Sequence, residues 1–288
     1  MMRLSILITL TAVLWGCNSD VSNNSNSNNP DNSYIRPAER GLNQAAAVLR
    51  KKQVSNPSYQ IHLILNAQGT DFSGSNILDF DFMPQGSDLT IDFTNGTIDQ
   101  VSINGKISDY QYNGFFISIA EQQLASGNNR IEIGYSHPYS KDGAGLYYFK
   151  DPLDDSVYTY SDLEPFDANR IFPLFDQPNL KASFTLSVDA PSSWQVVSAN
   201  RETSITENTD RALWEFPPTL PISSYIIMPV HAGDYVSFDL GKYQGIPLRL
   251  FSRQSNAQYV PVDEWNAATR HGFAFFNDFF GVDYPLAN

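Results

Sequence analysis

Short segments of alternating apolar and polar residues set the fold class of this chain. In residues 181–188, Phe184, Leu186 and Val188 alternate with serine and threonine, and residues 59–65 are similarly rich in strand-forming side chains. A period of two places one set of side chains on a core and the other towards solvent. Because turn-forming residues separate many such segments, we predict an all-β protein built as a large antiparallel β-sandwich.

Three Asn-Gly pairs recur at intervals of nine residues in the first half of the chain. They are Asn95-Gly96, Asn104-Gly105 and Asn113-Gly114. Both residues of such a pair tolerate positive φ, so Asn-Gly is favoured in tight hairpin turns. Three pairs in succession therefore predict an antiparallel meander of strands in this part of the chain.

Two helices are predicted, one on each side of the strand-rich region. Within residues 34–54, an alanine-rich run ends in cations that suit the C-terminal end of a helix dipole. Residues 263–280 form the second, short helix near the end of the chain. Its large residues fall mostly on one face. They are Trp265, Ala268, Phe275, Phe276 and Phe279.

Composition argues against one class of partner. The chain has 288 residues and a formal net charge of −13, with acidic residues spread along its length. Binding to nucleic-acid phosphates needs clustered lysine and arginine. We therefore expect no nucleic-acid partner.

The first 33 residues have the pattern of a lipoprotein leader. Residues 4–14 are apolar but too short to cross a bilayer, and Leu14-Trp15-Gly16-Cys17 follows, which resembles a bacterial lipoprotein cleavage box. Residues 18–33 are rich in Asn and Ser and cannot form a core. This pattern predicts a signal peptide over residues 1–17, lipidation of Cys17 and a polar tether. The protein is then expected in the bacterial cell envelope, at the outer membrane on its periplasmic face or at the surface. The alternative is an ordinary secretory signal that happens to end in cysteine.

Residues 158–181 are the most distinctive stretch, reading YTYSDLEPFDANRIFPLFDQPNLK. Proline holds the residue before it in an extended conformation, which applies to Glu164, Phe172 and Gln177. Aromatic residues alternate with charged ones here. This pattern predicts a buried, hydrogen-bonded loop that crosses a core.

The same stretch resembles the signature of the aminopeptidase N family of zinc exopeptidases, usually Q-x-E-P-x-D-A-R-R-x-F-P-C-F-D-E-P. The matching positions are Glu164, Pro165, Asp167, Ala168, Arg170, Phe172, Pro173, Phe175, Asp176 and Pro178. The departures are Asp162, Asn169, Leu174 and Gln177. Asp162 differs most in character, because it places a second carboxylate close to Glu164.

The resemblance implies a domain plan. The family's N-terminal domain is a large β-saddle, which is assigned to residues 34–258, and residues 279–286 are similar to the segment that opens its helical catalytic domain. Residues 259–288 are therefore expected to be the start of a catalytic domain that is missing from this chain.

The zinc chemistry of the family needs an H-E-x-x-H helix, and that motif and the G-A-M-E-N motif do not occur in these 288 residues. The histidines His62, His137, His231 and His271 are scattered. We therefore expect no catalytic residue, metal ligand or cofactor in this chain, with zinc held by the missing catalytic domain. The chain alone is predicted to be inactive.

The resemblance also implies a substrate site. Glu164 is expected to bind the free α-amino group of a peptide, and Asp162 to lie near the pocket for the first side chain, unless it is simply a solvated loop acid. Two functions stay open: the N-terminal part of a membrane-anchored aminopeptidase that removes N-terminal residues from peptides, or a non-catalytic lipoprotein β-sandwich that binds peptides or acts as an interaction module. The expected partners are peptide N-termini, the missing catalytic domain and, through Cys17, a membrane.

Overall fold

The computed structural model describes residues 34–226 and 230–284, and it confirms the all-β class with a helix near the C-terminal end. The helices are α1 (Gln44–Gln53), α2 (Gln254–Ala257) and α3 (Val262–Phe280). The strands are β1 (Val54–Ile64), β2 (Asp71–Phe82), β3 (Leu89–Asp92), β4 (Thr97–Ile103), β5 (Lys106–Ile107), β6 (Gln111–Tyr112), β7 (Phe116–Ile119), β8 (Gly127–Pro138), β9 (Gly145–Lys150), β10 (Val157–Asp162), β11 (Ser183–Pro191), β12 (Gln195–Val197), β13 (Ser204–Glu207), β14 (Arg211–Glu215), β15 (His231–Gly233), β16 (Tyr235–Tyr243) and β17 (Ile246–Arg253). Single turns of 3-10 helix cover Glu121–Gln123, Ala168–Arg170 and Ser224–Ile226.

An eight-stranded sheet runs through the described part of the chain in the order β13-β14-β11-β1-β2-β8-β4-β5. Its neighbours are antiparallel except β1 and β11, which pair in parallel. In β1 the side chains of Tyr59, Ile61 and Leu63 are buried and alternate with more exposed ones, as a period of two requires. Tyr59 stacks on Phe184 of β11, with ring centroids 4.7 Å apart. The sheet therefore has one apolar face.

Two smaller sheets share the core of the large one. Their strand orders are β3-β7-β6 and β12-β15-β10-β9. Ile91 of β3, Ile117 of β7 and Val196 of β12 belong to the same hydrophobic cluster as the β1 side chains. Each fully buried side chain of this kind stabilises the fold by roughly 1.5–3 kcal/mol. Burial of this cluster is thus what holds the three sheets together.

The predicted meander is wrong, because the Asn-Gly pairs do not join strands of one sheet in succession. Asn104-Gly105 does form a two-residue hairpin between β4 and β5, with φ of 51° and 79° and with Ile103 opposite Lys106. Asn113-Gly114 lies in a longer link between β6 and β7, and Asn95-Gly96 connects strands of two different sheets. The apolar side chains of β3 are needed in the core opposite β7, so the chain crosses between sheets after β3 instead of folding back.

Helix α1 confirms the helix predicted within residues 34–54. The Asn43 side-chain oxygen caps it by accepting the Ala46 N–H at 2.9 Å. Arg50, Lys51 and Lys52 occupy its last turn, as its dipole favours. Arg50 nevertheless points inward and is only 1% exposed.

Helix α3 lies against the hairpin formed by β16 and β17. Arg270 donates to the carbonyl oxygens of Leu240 (2.8 Å) and Lys242 (2.9 Å), and Phe273 stacks on Tyr243 at 5.3 Å. None of the α3 residues is buried. Within the described residues, no helix combines the length and the apolar character that crossing a membrane would need.

Candidate functional site

The candidate site is built on residues 163–182, the signature loop, which connects β10 to β11. Its first part is held by Arg40, whose Nη2 donates to the Phe166 carbonyl oxygen at 2.7 Å and also to the Asp167 carboxylate. Arg170 lies on the other side of Asp167, with 3.6 Å between its Nη1 and Oδ1. Two cations from different parts of the chain therefore fix this end of the loop.

The middle of the loop is clamped to strand β3 through Asp92. The main chains of Asp92 and Leu174 exchange two hydrogen bonds, of 2.8 and 3.1 Å. The Asp92 carboxylate accepts from Arg36 Nη1 on one oxygen and from Arg50 Nη1 on the other, both at 2.6 Å. It also accepts the Asp176 N–H at 2.9 Å. Asp92, Arg36 and Arg50 are all buried, so this is a charge cluster inside the core.

Asp176 joins two parts of the loop to each other and to the 3-10 turn that carries Ser224. Its Oδ2 accepts both the backbone N–H (3.1 Å) and the side-chain amide (2.8 Å) of Asn169, and its Oδ1 accepts the Ser224 hydroxyl at 2.5 Å. Burial raises the pKa of Asp176 to about 6, and the nearby Asp92 carboxylate adds to the rise. A carboxylate buried at this depth needs such donors to remain charged.

Further bonds fasten the loop to the large sheet and to α1. Asn76 Nδ2 donates to the Pro173 carbonyl oxygen at 2.6 Å, and the Phe175 N–H donates to the Tyr59 hydroxyl at 3.0 Å. Gln177 accepts from Arg50 Nε at 3.1 Å and donates to the Ala47 carbonyl oxygen at 2.9 Å. The prediction of a buried, hydrogen-bonded loop is thus confirmed for the stretch from Asn169 to Gln177.

The two acids predicted to bind substrate stand apart from this network. Both Asp162 and Glu164 are exposed. Asp162 Oδ1 accepts the Glu164 N–H at 3.4 Å, and the Glu164–Pro165 peptide bond is cis. Within the described residues, the Glu164 carboxylate forms no hydrogen bond and no ion pair. The structure therefore brings the two residues together at the surface, with their charges available to a ligand.

An aromatic strip lies beside these carboxylates on the β12-β15-β10-β9 sheet. Tyr160, two residues before Asp162 on the same strand face, packs on Tyr147 of β9 with ring centroids 4.9 Å apart. On its other side Tyr160 stacks on His231 of β15 at 6.5 Å. Burial raises the pKa of Tyr160, and the charges of Tyr147 and Asp162 add to the rise. Aromatic surface and the exposed Asp162 carboxylate thus lie side by side, with Tyr160 36% exposed.

The histidines and acids in the described part of the chain do not form a zinc site. The histidines are distributed over β1, β8, β15 and α3, as His62, His137, His231 and His271. His137 is buried between the carbonyl oxygens of Thr94 and Pro138, each 2.7 Å from a ring nitrogen, and burial lowers its pKa. Across residues 34–226 and 230–284, no group of three or more His, Cys, Asp or Glu side chains could hold a metal ion.

Sequence reasoning missed the residues that hold the loop, namely Arg36, Arg40, Arg50, Asp92 and Ser224. One signal was present for Asp92, a lone acid between Ile91 and Phe93 in an apolar segment. An acid in that setting needs a buried partner. Arg50 gave a misleading signal, since a cation in the last turn of a helix is usually explained by the dipole. Cys17 lies outside the described residues.

The candidate site falls within a recognised domain family. A family model described as "Peptidase M1 N-terminal domain" matches residues 55–226. The match begins in β1 and ends with the 3-10 turn that carries Ser224, so it includes the whole signature loop.

Individual relatives agree with the family model. "Aminopeptidase N" of Streptomyces lividans is 33% identical over 251 residues, which are 85% of this chain and 29% of that protein. "Aminopeptidase N" of Acetobacter pasteurianus is 26% identical over 263 residues, 84% of this chain and 70% of that protein. "Probable M1 family aminopeptidase 1" of Encephalitozoon cuniculi (strain GB-M1) is 31% identical over 172 residues, 57% of this chain and 18% of that protein. The chain thus spans less than a third of the length of the first and the third of these relatives.

Proposed function

Because this chain belongs to the M1 peptidase family and contains that family's N-terminal domain, we propose that it supplies the substrate-binding loop of a zinc aminopeptidase. Such an enzyme removes residues from the N-termini of peptides. In this proposal Glu164 binds the free α-amino group, and Asp162 lies near the first side chain of the peptide.

One observation supports this role for Glu164. Asp167 and Asp176 of the same loop are paired with donors, whereas the Glu164 carboxylate has no partner within the described residues. A carboxylate held on a rigid loop, with no internal partner, is suited to accept hydrogen bonds from an ammonium group. A blocked N-terminus would offer it no charge and fewer donors.

Peptide binding to residues 18–288 tests this role. We expect a peptide with a free N-terminus to bind more tightly than its N-acetylated form, as measured by NMR titration. Because Glu164 is exposed, its pairing with an ammonium contributes about 0.2–1 kcal/mol in the isolated chain. The Glu164→Gln variant should therefore lose up to about fivefold in affinity for the free peptide.

Glu207→Gln is the matched control, because Glu207 is an exposed acid on the distant strand β13. It should leave the affinity unchanged. Equal affinities for free and acetylated peptides, or an equal loss in both variants, would show that Glu164 does not bind the amino group.

We also propose that zinc and its ligands belong to a catalytic domain and that residues 18–288 alone do not hydrolyse peptides. The described residues offer no ligand set, and the 288 residues contain no H-E-x-x-H motif. Purified protein should release no product from aminoacyl anilides, with or without added zinc. Zinc-dependent release above the blank by clean protein would overturn this proposal.

Helix α3 supports a catalytic domain as a partner. Its exposed aromatic side chains are Trp265, Phe275, Phe276, Phe279 and Phe280. A groove of about 530 Å³ beside it is lined by Phe273, Phe276, Phe280, Val282 and Tyr284, among others. Contiguous exposed apolar surface of this kind marks an interface. The same surface is the observation that favours the second function, a non-catalytic interaction module.

Without that partner, we expect residues 18–288 to self-associate through α3. Light scattering at several concentrations should show association that is absent from residues 18–261. Since removing a helix can have other effects, the double variant Phe275→Lys, Phe279→Lys is the sharper test and should also be monomeric. If residues 18–288 are as monomeric as these two variants, the aromatic face needs no partner.

Membrane anchoring through Cys17 completes the proposal. It rests on the Leu14-Trp15-Gly16-Cys17 sequence and the polar residues that follow. The wild-type protein should fractionate with bacterial membranes, and Cys17→Ala should release it. Retention of Cys17→Ala in the same membrane fraction would show that this residue is not the anchor.

A further inference from the structure

We propose that Asn95 is a site of spontaneous deamidation, and that the fold protects Asn104 and Asn113, which are also followed by glycine. In this reaction the backbone nitrogen of Gly96 attacks the side-chain amide carbon of Asn95. A carbon–nitrogen bond forms, the side-chain amide bond breaks, and ammonia leaves with the proton from Gly96. Water then opens the resulting succinimide to aspartate or isoaspartate.

The fold holds the Asn104 side chain on both of its polar atoms. Its amide nitrogen donates to Asn129 Oδ1 at 3.0 Å, and its Oδ1 accepts the Arg130 N–H at 2.9 Å. Asn104 and Gly105 also form the rigid hairpin between β4 and β5. Moving the amide carbon towards the Gly105 nitrogen would break both side-chain bonds.

Asn113 is held in a different way. Its Oδ1 accepts the N–H groups of Phe115 (2.9 Å) and Phe116 (3.0 Å). This arrangement is the usual side-chain cap of a turn, and it fixes the orientation of the Asn113 amide. Reaction at Asn113 would likewise break two hydrogen bonds.

The Asn95 side chain has no such restraint. It is exposed, and within the described residues its amide makes no hydrogen bond. Only its main chain is fixed, by the bond from its N–H to the Gly114 carbonyl oxygen at 2.9 Å and by a φ of 61°. The side chain can therefore rotate towards the Gly96 nitrogen without breaking a hydrogen bond of its own.

Packing requires glycine at position 96, and glycine is also the residue that hinders the attack on Asn95 least. A Cβ atom at Gly96 would lie 2.2 Å from Cζ of Phe93 and 3.0 Å from Cδ2 of His137. Phe93 is fully buried and cannot move aside. A larger residue after Asn95 would hinder the attack, but the core leaves no room for one.

The modification would fall beside the support of the signature loop. The Thr94 N–H donates to the Asn169 carbonyl oxygen at 2.9 Å, and the Thr94 carbonyl oxygen lies 2.7 Å from His137 Nε2. Isoaspartate adds one main-chain carbon and a negative charge directly after Thr94. We therefore expect the isoaspartyl form to be less stable than the unmodified protein.

Peptide mapping by mass spectrometry tests the proposal on the folded protein during incubation at mildly alkaline pH. Each hydrogen bond that must break slows the reaction, and two such bonds correspond to at least about a fivefold difference in rate. Asn95 should therefore deamidate at least about fivefold faster than Asn104 or Asn113. In urea, where these bonds are absent, the three rates should become similar.

Asn95→Gln should remove the dominant site and leave the rates at Asn104 and Asn113 unchanged. Equal rates at the three sites in the folded protein would overturn the proposal. So would an order of rates that stays the same in urea, because the selectivity would then come from sequence alone.

Discussion

Asp176 and Glu164 belong to the same loop, but their surroundings differ completely. Asp176 is buried with donors on both oxygens, while Glu164 is exposed and, among the described residues, has no partner. The buried half of the loop is fixed to β3, α1 and the turn that carries Ser224. The exposed half carries Glu164, whose carboxylate takes no part in the buried network.

This difference separates structural acids from acids that are free to bind a ligand. A buried carboxylate costs several kcal/mol unless donors compensate it, so acids such as Asp92 and Asp176 occur only with their partners. Glu164 carries no such constraint because water solvates it. In the proposed function the buried network still matters, because it holds the loop that carries Glu164.

The largest effect is expected at Asp92, where two buried arginines share one carboxylate. Asp92→Asn would leave Arg36 and Arg50 without a counter-charge next to them, and breaking a buried pair in this way typically costs about 3–5 kcal/mol. Urea unfolding followed by tryptophan fluorescence should show a loss of this size.

Asp79→Asn provides the matched control for that experiment. Asp79 also pairs with an arginine, Arg130 at 2.8 Å, but the pair lies at the surface. A surface pair contributes about 0–1 kcal/mol. If the two variants lost equal stability, the buried cluster would not be what holds the loop.

A pH dependence is expected from Asp176. Its pKa is about 6 in the folded protein and 3.8 when unperturbed, so between these values the folded state binds a proton that the unfolded state does not. The stabilisation from this proton is present below pH 4 and is lost as the pH rises towards 6. At about 1.36 kcal/mol per pKa unit, the change amounts to roughly 3 kcal/mol at most.

Asp176→Asn isolates this contribution from that of the other titrating groups. We compare the unfolding free energy of the wild type with that of the variant at each pH. The wild type should be more stable relative to the variant at pH 4 than at pH 7, by this amount. A difference that stays constant with pH would mean that Asp176 titrates normally despite its burial.

An intermediate effect is expected at Gln177, where the family signature has glutamate. In this chain the Gln177 amide donates to the Ala47 carbonyl oxygen at 2.9 Å and to Asn179 Oδ1 at 2.7 Å. Gln177→Glu loses both donations and adds a carboxylate near Asp92 and Asp176. We expect a loss of about 1–3 kcal/mol at pH 7 and a smaller one at pH 5, where the new acid is protonated more easily.

Unfolding of Gln177→Glu at the two pH values checks this expectation, with Gln122→Glu as a control, because Gln122 is exposed in the turn Glu121–Gln123. If Gln177→Glu were more stable than wild type, the attraction between the new carboxylate and Arg50 would outweigh the two lost hydrogen bonds. The loop would then tolerate the family residue without further change.

Local patterns were enough to predict much of the fold. The alternating segment 181–188 falls largely within β11, and the helix predicted over 263–280 is α3, which begins at Val262. Both follow from periodicity within one segment, which needs no knowledge of the rest of the chain. The buried character of the signature loop was predictable for the same reason, from its alternating aromatic and charged residues.

The contacts between distant segments were not predictable in this way. Nothing near Asp92 in the sequence indicates that Arg36 and Arg50 reach it, and nothing near Asn95-Gly96 indicates a crossing between sheets. Such pairings depend on which surfaces the core brings together. The aromatic strip of Tyr147, Tyr160 and His231 was missed for this reason too, since it exists only where three strands lie side by side.

The smallest effect on stability is expected at the two exposed acids. Asp162→Asn and Glu164→Gln remove no buried partner, and Asp162 gives up only a 3.4 Å bond from the Glu164 N–H. Surface changes of this kind usually alter the unfolding free energy by no more than about 0.5 kcal/mol. The same urea experiment that detects the loss in Asp92→Asn should therefore find both variants close to wild type. A loss above about 1 kcal/mol in either variant would mean that the carboxylate has a structural partner. The contrast between the two halves of the loop would then fail, because Glu164 could no longer be treated as a charge left free for the amino group of a peptide.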